Sequence, residues 1–194
     1  MSLNTVKFRR VRAALVLLIG LGLAACAAPP PPPEPGRVTI APGITLALPS
    51  PAALGRSVDA VQIVTARHRG DIFVFEGRLS VGPERLLLVG TDSLGRRAMT
   101  VTWSEGKITV ERAAWLPDTL RPENILADIV LLYWPETAVR SGLSGADLTE
   151  QAGDRAIGSA IQVSWQGDPW SGTAHLRNLV WEYELDVRSV LVGP

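Results

Sequence analysis

The stretch from Trp181 to Arg188, WEYELDVR, sets the fold class. Trp181, Tyr183, Leu185 and Val187 fall on one face of an extended chain, and Glu182, Glu184, Asp186 and Arg188 on the other. A strict period of two describes a β-strand with one buried and one wetted face, because successive side chains of a strand point to opposite sides. The same alternation recurs upstream. DIFVFEGRLSV places Phe73, Phe75, Leu79 and Val81 together, MTVTWSE pairs Val101 with Trp103, and AIQVSW groups Ile161, Val163 and Trp165.

Turn residues punctuate these runs: Arg69-Gly70, Gly82-Pro83, Ser93-Leu94-Gly95, Glu105-Gly106 and Gly167-Asp168-Pro169. Short connections between alternating strands predict an antiparallel meander. A sheet of that many strands must curl, gain a second layer or close. The expected class is mainly β, a curved antiparallel sheet carrying one helix.

That helix is expected in RPENILADIVLLYWP, residues 121–135. Pro122 and Glu123 suit a first turn, and Pro135 ends the segment. On a helical wheel only Asn124 and Asp128 make a polar stripe, and a helix apolar nearly all round must be buried. The expectation is a helix packed into the concave side of the sheet. A short buried strand over residues 129–134 competes with it, since apolar runs are ambiguous by period alone.

The N-terminus reads as an address. Lys7, Arg9, Arg10 and Arg12 precede the uncharged run AALVLLIGLGLAACAA, residues 13–28, which is the pattern of a bacterial secretory signal. A spanning helix is the other reading, but it needs about 20 apolar residues. Leu23-Ala24-Ala25-Cys26 resembles a bacterial lipobox, which implies cleavage between Ala25 and Cys26 and acylation of Cys26. Residues 1–25 are then a signal peptide. Residues 26–37 form a lipidated, proline-rich tether, extended at about 3.1 Å per residue. Residues 38–194 form a single β domain. Loss of residues 1–25 leaves 15 basic against 19 acidic residues. No basic patch points to nucleic acid. Cys26 is the sole cysteine, so no internal disulfide is available.

The mature chain resembles a family of proteobacterial lipoproteins found beside aryl-polyene pigment synthesis genes. The resemblance is carried by RLLLVGTDSLGRRAMTVTWSEGKITVE, by LPDTLRPENILADIVLLYWP, by Arg155 with AIQVSW after it, and by LRNLVWEYELDV. The layout is also similar to the lipoprotein carriers LolA and LolB. That likeness implies an unclosed, half-open barrel with a helical lid over an apolar cavity. With Ala27 after the cysteine, the sorting rules of enteric bacteria imply the periplasmic face of the outer membrane.

Enzyme signatures are scarce. His68 and His175 have no ligand partners at metal spacing, Ser144 is not in a G-x-S-x-G elbow, and no phosphate loop occurs. Asp147, Glu150 and Asp154 read as surface acids. Neither an enzyme, a metal nor a cofactor is therefore expected. Asp128, inside the family's Leu126-Ala127-Asp128 pattern, requires a partner if buried. Arg155 or Arg140 is expected to pair with it and anchor the helix, unless Asp128 lies at a solvent-facing rim. Trp115, Ile125, Ile129, Leu132 and Trp134 are candidate pocket residues. Leu94, in a polar turn, either folds back on the sheet or serves as an apolar loop residue of the kind that helps LolB release cargo. The expected function is binding or transfer of a hydrophobic ligand, an acyl or aryl-polyene chain or a lipoprotein, in envelope biogenesis. The alternative is a structural lipoprotein with a filled core that docks an envelope-assembly partner.

Overall fold

The computed structural model describes residues 36–116 and 121–193. The signal peptide, Cys26 and the proline run of the tether lie outside the described residues. Thirteen strands, two α-helices and a 3-10 turn at Pro51–Leu54 make up the described chain. The strands are β1 Arg37–Ala41, β2 Ile44–Ala47, β3 Val58–His68, β4 Asp71–Val81, β5 Arg85–Asp92, β6 Arg97–Ser104, β7 Lys107–Arg112, β8 Leu143–Ser144, β9 Leu148–Gln151, β10 Asp154–Ile157, β11 Ile161–Gln166, β12 Thr173–Asn178 and β13 Tyr183–Leu191. The helices are α1 Pro122–Tyr133 and α2 Glu136–Gly142.

Ten strands form one antiparallel sheet in the order β7-β6-β5-β4-β3-β13-β12-β11-β10-β9, with unpaired edges at β7 and β9, so it does not close. Strands β1, β2 and β8 form a separate small sheet. The large sheet is two meanders, β3–β7 and β9–β13, joined by the pairing of β13 with β3. Two-residue turns with both φ positive close the expected hairpins at Arg69-Gly70 (φ 49° and 92°) and Glu105-Gly106 (φ 51° and 72°). Their twist matches that of the strands they join.

The alternation over Tyr183–Arg188 is realised, but β13 begins at Tyr183, not Trp181. Leu179–Glu182 forms the turn from β12, with Glu182 at φ 58°, and Asn178 Oδ1 accepts the Trp181 backbone N–H at 3.0 Å. An Asn side chain that bonds the backbone makes a turn where alternation alone reads as strand.

The segment over residues 121–135 is a helix, not a strand. Pro122 opens α1, Glu123 lies in its first turn, and Trp134 is extended (φ −78°, ψ 149°), as a residue before proline must be. Leu126, Ala127, Val130 and Leu131 are at most 2 % exposed. From the small sheet, the Thr39 carbonyl accepts Asn124 Nδ2 at 3.0 Å. The last carbonyls of a buried helix need donors. The Arg155 guanidinium bonds the Leu131 and Trp134 carbonyls at 2.6 and 2.9 Å, and Trp165 Nε1 bonds the Leu132 carbonyl at 2.9 Å. Glu150 neutralises Arg155 at 2.6 Å, and the guanidinium lies 5.2 Å over the Trp165 ring. A cation at the negative end of the helix dipole adds to this anchorage.

Replacing Arg155 by Met is expected to cost about 3 kcal/mol or more, because two buried carbonyls lose their donor. Arg140→Met, which removes an exposed pair with Glu136, should cost under about 1 kcal/mol. Urea denaturation midpoints of the two variants check this, and equal losses would remove the anchoring role.

Candidate functional site

Beneath α1 lies a cavity of about 480 Å³, within the size range of small-molecule sites. Its floor is the inward face of five strands, drawn from alternate residues: Gln62, Val64 and Ala66 of β3, Phe73, Phe75 and Gly77 of β4, Leu88 and Gly90 of β5, Met99 of β6, and Tyr183, Leu185 and Val187 of β13. Ile125, Asp128, Ile129, Leu132 and Tyr133 of α1 form its roof. Arg121, Asn124, Arg67, His68 and Trp181 also border it.

The space has an identifiable origin. Gly77 and Gly90 are directly opposite each other across β4 and β5, flanked by Gln62 and Met99 on the neighbouring strands. Neither glycine has a positive φ, so the backbone does not require them. A Cβ on Gly77 would come no closer than 3.5 Å to Leu88, and one on Gly90 no closer than 3.4 Å to Met99. What the glycines supply is missing volume, as glycine in a strand does where something must approach the sheet. Sequence reading passed over them. The available signal was an inward-facing glycine within an otherwise apolar alternation.

Two of the residues that line the cavity, Gln62 and Tyr133, belong to a buried, bonded trio with Ser189. Gln62 Nε2 donates to Tyr133 Oη at 2.8 Å and Ser189 Oγ at 3.1 Å, and the two hydroxyls are 3.0 Å apart. Burial raises the Tyr133 hydroxyl to about 12 despite these bonds. Along the roof, Tyr183 Oη donates to Asp128 Oδ1 at 2.8 Å. Asp128 is 9 % exposed. Burial pushes its carboxyl up to about 7, although the Tyr183 bond pulls the other way. Burial, then the Asp128 charge and bond, drive the Tyr183 hydroxyl upward.

The expected Asp128–Arg155 pair is not formed. Arg155 is satisfied by Glu150 and the α1 carbonyls, and Asp128 by Tyr183. Arg140 pairs with Glu136 instead. The helix places Asp128 towards the cavity, while Arg155 stands at the helix C-terminus, where carbonyls compete for it. Nor is Asp128 an exposed rim residue. Glu150, read as a surface acid, is the true partner of Arg155.

Of the candidate pocket residues, Ile125, Ile129 and Leu132 line the cavity, whereas Trp115 and Trp134 do not. Trp115 is half-exposed with the Arg96 guanidinium 4.9 Å over its ring. Trp134 has left the helical path, is 1 % exposed, and donates Nε1 to the Ser50 carbonyl at 3.4 Å. Leu94 does not fold back on the sheet. It is 77 % exposed on the β5–β6 turn, where Asp92 accepts the backbone N–H groups of Leu94 and Arg96 at 3.0 and 2.9 Å.

On the outer face of the sheet, His175 Nδ1 meets Asp186 Oδ1 at 2.7 Å, and Arg67 also pairs with Asp186. Burial opposes ionisation of Asp186, but the bonds from Arg67 and His175 outweigh it and lower its pKa. Ser164 is opposite His175 in register, with no hydrogen bond between the two side chains among the described residues.

The family profile described as a protein of unknown function, DUF3261, matches residues 59–191. The chain belongs to the DUF3261 family. The match begins within β3 and ends with β13, so it spans the whole large sheet and α1, and omits β1 and β2. No curated protein matches this DUF3261 chain.

Asp128 gives a pH test. Its pKa in the fold lies above the ordinary 3.8, so the folded state binds the proton more tightly than the unfolded state. The stabilisation from this group is complete below about pH 4 and is lost as pH rises through about 7. Asn retains the acceptor for Tyr183 without the buried charge. At pH 8, Asp128→Asn is therefore expected to be more stable than wild type by up to about 4 kcal/mol, with the difference shrinking towards pH 4. Urea unfolding across that range measures it. A wild type more stable at pH 8 would overturn the reading.

Proposed function

We propose that this chain is an outer-membrane lipoprotein, anchored through acylated Cys26 at the periplasmic face, that binds or transfers a hydrophobic ligand in cell-envelope biogenesis. The observation that carries the proposal is the cavity under α1, held open by Gly77 and Gly90 and lined mainly by apolar side chains. A structural protein would gain stability by filling such a space, at about 25 cal/mol per Å² of apolar surface buried. An unfilled void forfeits those contacts. The ligand classes proposed are acyl and aryl-polyene chains, or the acyl part of a lipoprotein. The half-open, LolA/LolB-like arrangement agrees with an unclosed sheet roofed by a helix. Entry is by the end of the cavity bordered by Arg121, His68 and Trp181. Leu94, exposed on its hairpin turn, is the proposed contact with the membrane during release.

Native mass spectrometry of the full chain, released from detergent micelles, tests the ligand-binding reading. Wild type is expected to carry a lipid-sized mass that organic extraction removes. Gly77→Leu, which projects a side chain into the cavity, is expected to lose that mass while keeping or raising its melting temperature. A clean mass for wild type, with no uptake of an added long-chain alcohol, amine, fatty acid or polyene, would favour the filled-core protein that docks an assembly partner.

The Leu94 proposal is tested apart from binding. Leu94→Glu should retain the bound mass and slow ligand transfer to acceptor vesicles several-fold. Unchanged transfer would exclude the loop.

A further inference from the structure

Asp128 is a carboxylate that the fold does not need. One of its oxygens accepts from Tyr183, an interaction an asparagine would serve equally. The other oxygen has no protein partner among the described residues. Since no fully buried side-chain polar atom among them lacks a partner, this second oxygen faces the cavity. The charged or titratable groups that border the same cavity are Arg67 and His68 from β3, Glu76 from β4, Arg121 before α1, Tyr133 from α1 and Tyr183 from β13, while β5 and β6 bring only Leu88, Gly90 and Met99. Apart from Tyr183, none is bonded to Asp128. Arg67 is held by Asp186, and Glu76 lies 3.4 Å from Arg78.

We propose that Asp128, steadied by Tyr183, is the recognition point for a hydrogen-bond-donating group, a protonated amine or a hydroxyl, on an otherwise apolar ligand lying in the cavity. The inference rests on the ligand-binding reading and deepens it. An ionised carboxylate is an acceptor only, so it welcomes a donor and repels another carboxylate. A buried charge without a partner is costly, and a donor arriving with the ligand removes that cost. Asp128 stands one turn beyond Asn124, at the border of the cavity, with Ile125, Ile129 and Leu132 beside it on the roof. A ligand held there by its donor group can lay its apolar chain towards the Gly77–Gly90 notch. A few placed polar groups in an apolar pocket fix orientation in this way.

The test offers the full chain an equimolar mixture of dodecylamine, dodecanol and dodecanoate at pH 8 and pH 6, and counts adducts by native mass spectrometry. At pH 8, the amine and alcohol adducts of wild type should together exceed the dodecanoate adduct about tenfold or more, and the larger of the two identifies the donor. At pH 6, where Asp128 takes up its proton, the margin of amine over carboxylate should narrow while the alcohol still binds. Asp128→Asn should bring all three to within about threefold, and Tyr183→Phe should weaken the discrimination without reversing it. Dodecanoate equal to or above the others in wild type, or an unchanged ranking in Asp128→Asn, would overturn the inference and leave ligand binding intact. No adduct of any probe with wild type would instead sink the ligand-binding reading, and this inference with it.

Discussion

The burial of α1 is the constraint on which the rest of the structure depends. A helix apolar nearly all round cannot rest on a surface, because some apolar flank would remain in water. In this fold the large sheet and the cavity take one flank, and β1 of the small sheet approaches from elsewhere. Burial of every helical residue from Leu126 to Tyr133 then moves the difficulty to the helix C-terminus, where carbonyls in a dry interior need donors. Arg155 and Trp165, both from the second meander, provide them, and Glu150 balances the charge thereby buried. One apolar segment therefore dictates a sheet to cover it, a cation to cap it and an acid to neutralise the cation.

Much of this could be read from the chain before any coordinates. Alternation in β4 and β13, and glycine at hairpin positions, are local properties, and they predicted strands, turns and an antiparallel meander. The helix was legible because prolines bracket a run whose polar positions recur at helical spacing. What escaped depends on which distant residues meet. Sequence shows that a buried Asp128 must have a partner; it does not show that Tyr183 lies closer than Arg155, or that helix carbonyls would claim the arginine. Trp115 and Trp134 flank α1 in sequence, but one stacks with Arg96 and the other turns to Ser50. The cavity was hardest to foresee, since it arises from two glycines that are adjacent only through the β4–β5 register.

The two kinds of buried charge play opposite parts. Arg155 has several partners, and its loss would strand others, so it belongs to the architecture. Asp128 has one partner among the described residues and borders the cavity, and its ionised form weighs against the fold. A chain that keeps such a group accepts a lower stability where a site needs a charge, the usual exchange between stability and function.

The junction of the two meanders has a consequence for how the chain acquires its structure. Within each meander, neighbouring strands are close in sequence. The β13–β3 pairing instead joins Leu191 to Ala60 across most of the domain. Closing so long a loop exacts its entropy before any contact repays it. This seam is therefore expected to form late, after the two meanders have zipped up locally. The cavity floor straddles it, with Val64 and Ala66 on one side and Leu185 and Val187 on the other. The interior is thus complete only once the two meanders have joined, and neither half of the chain holds it alone.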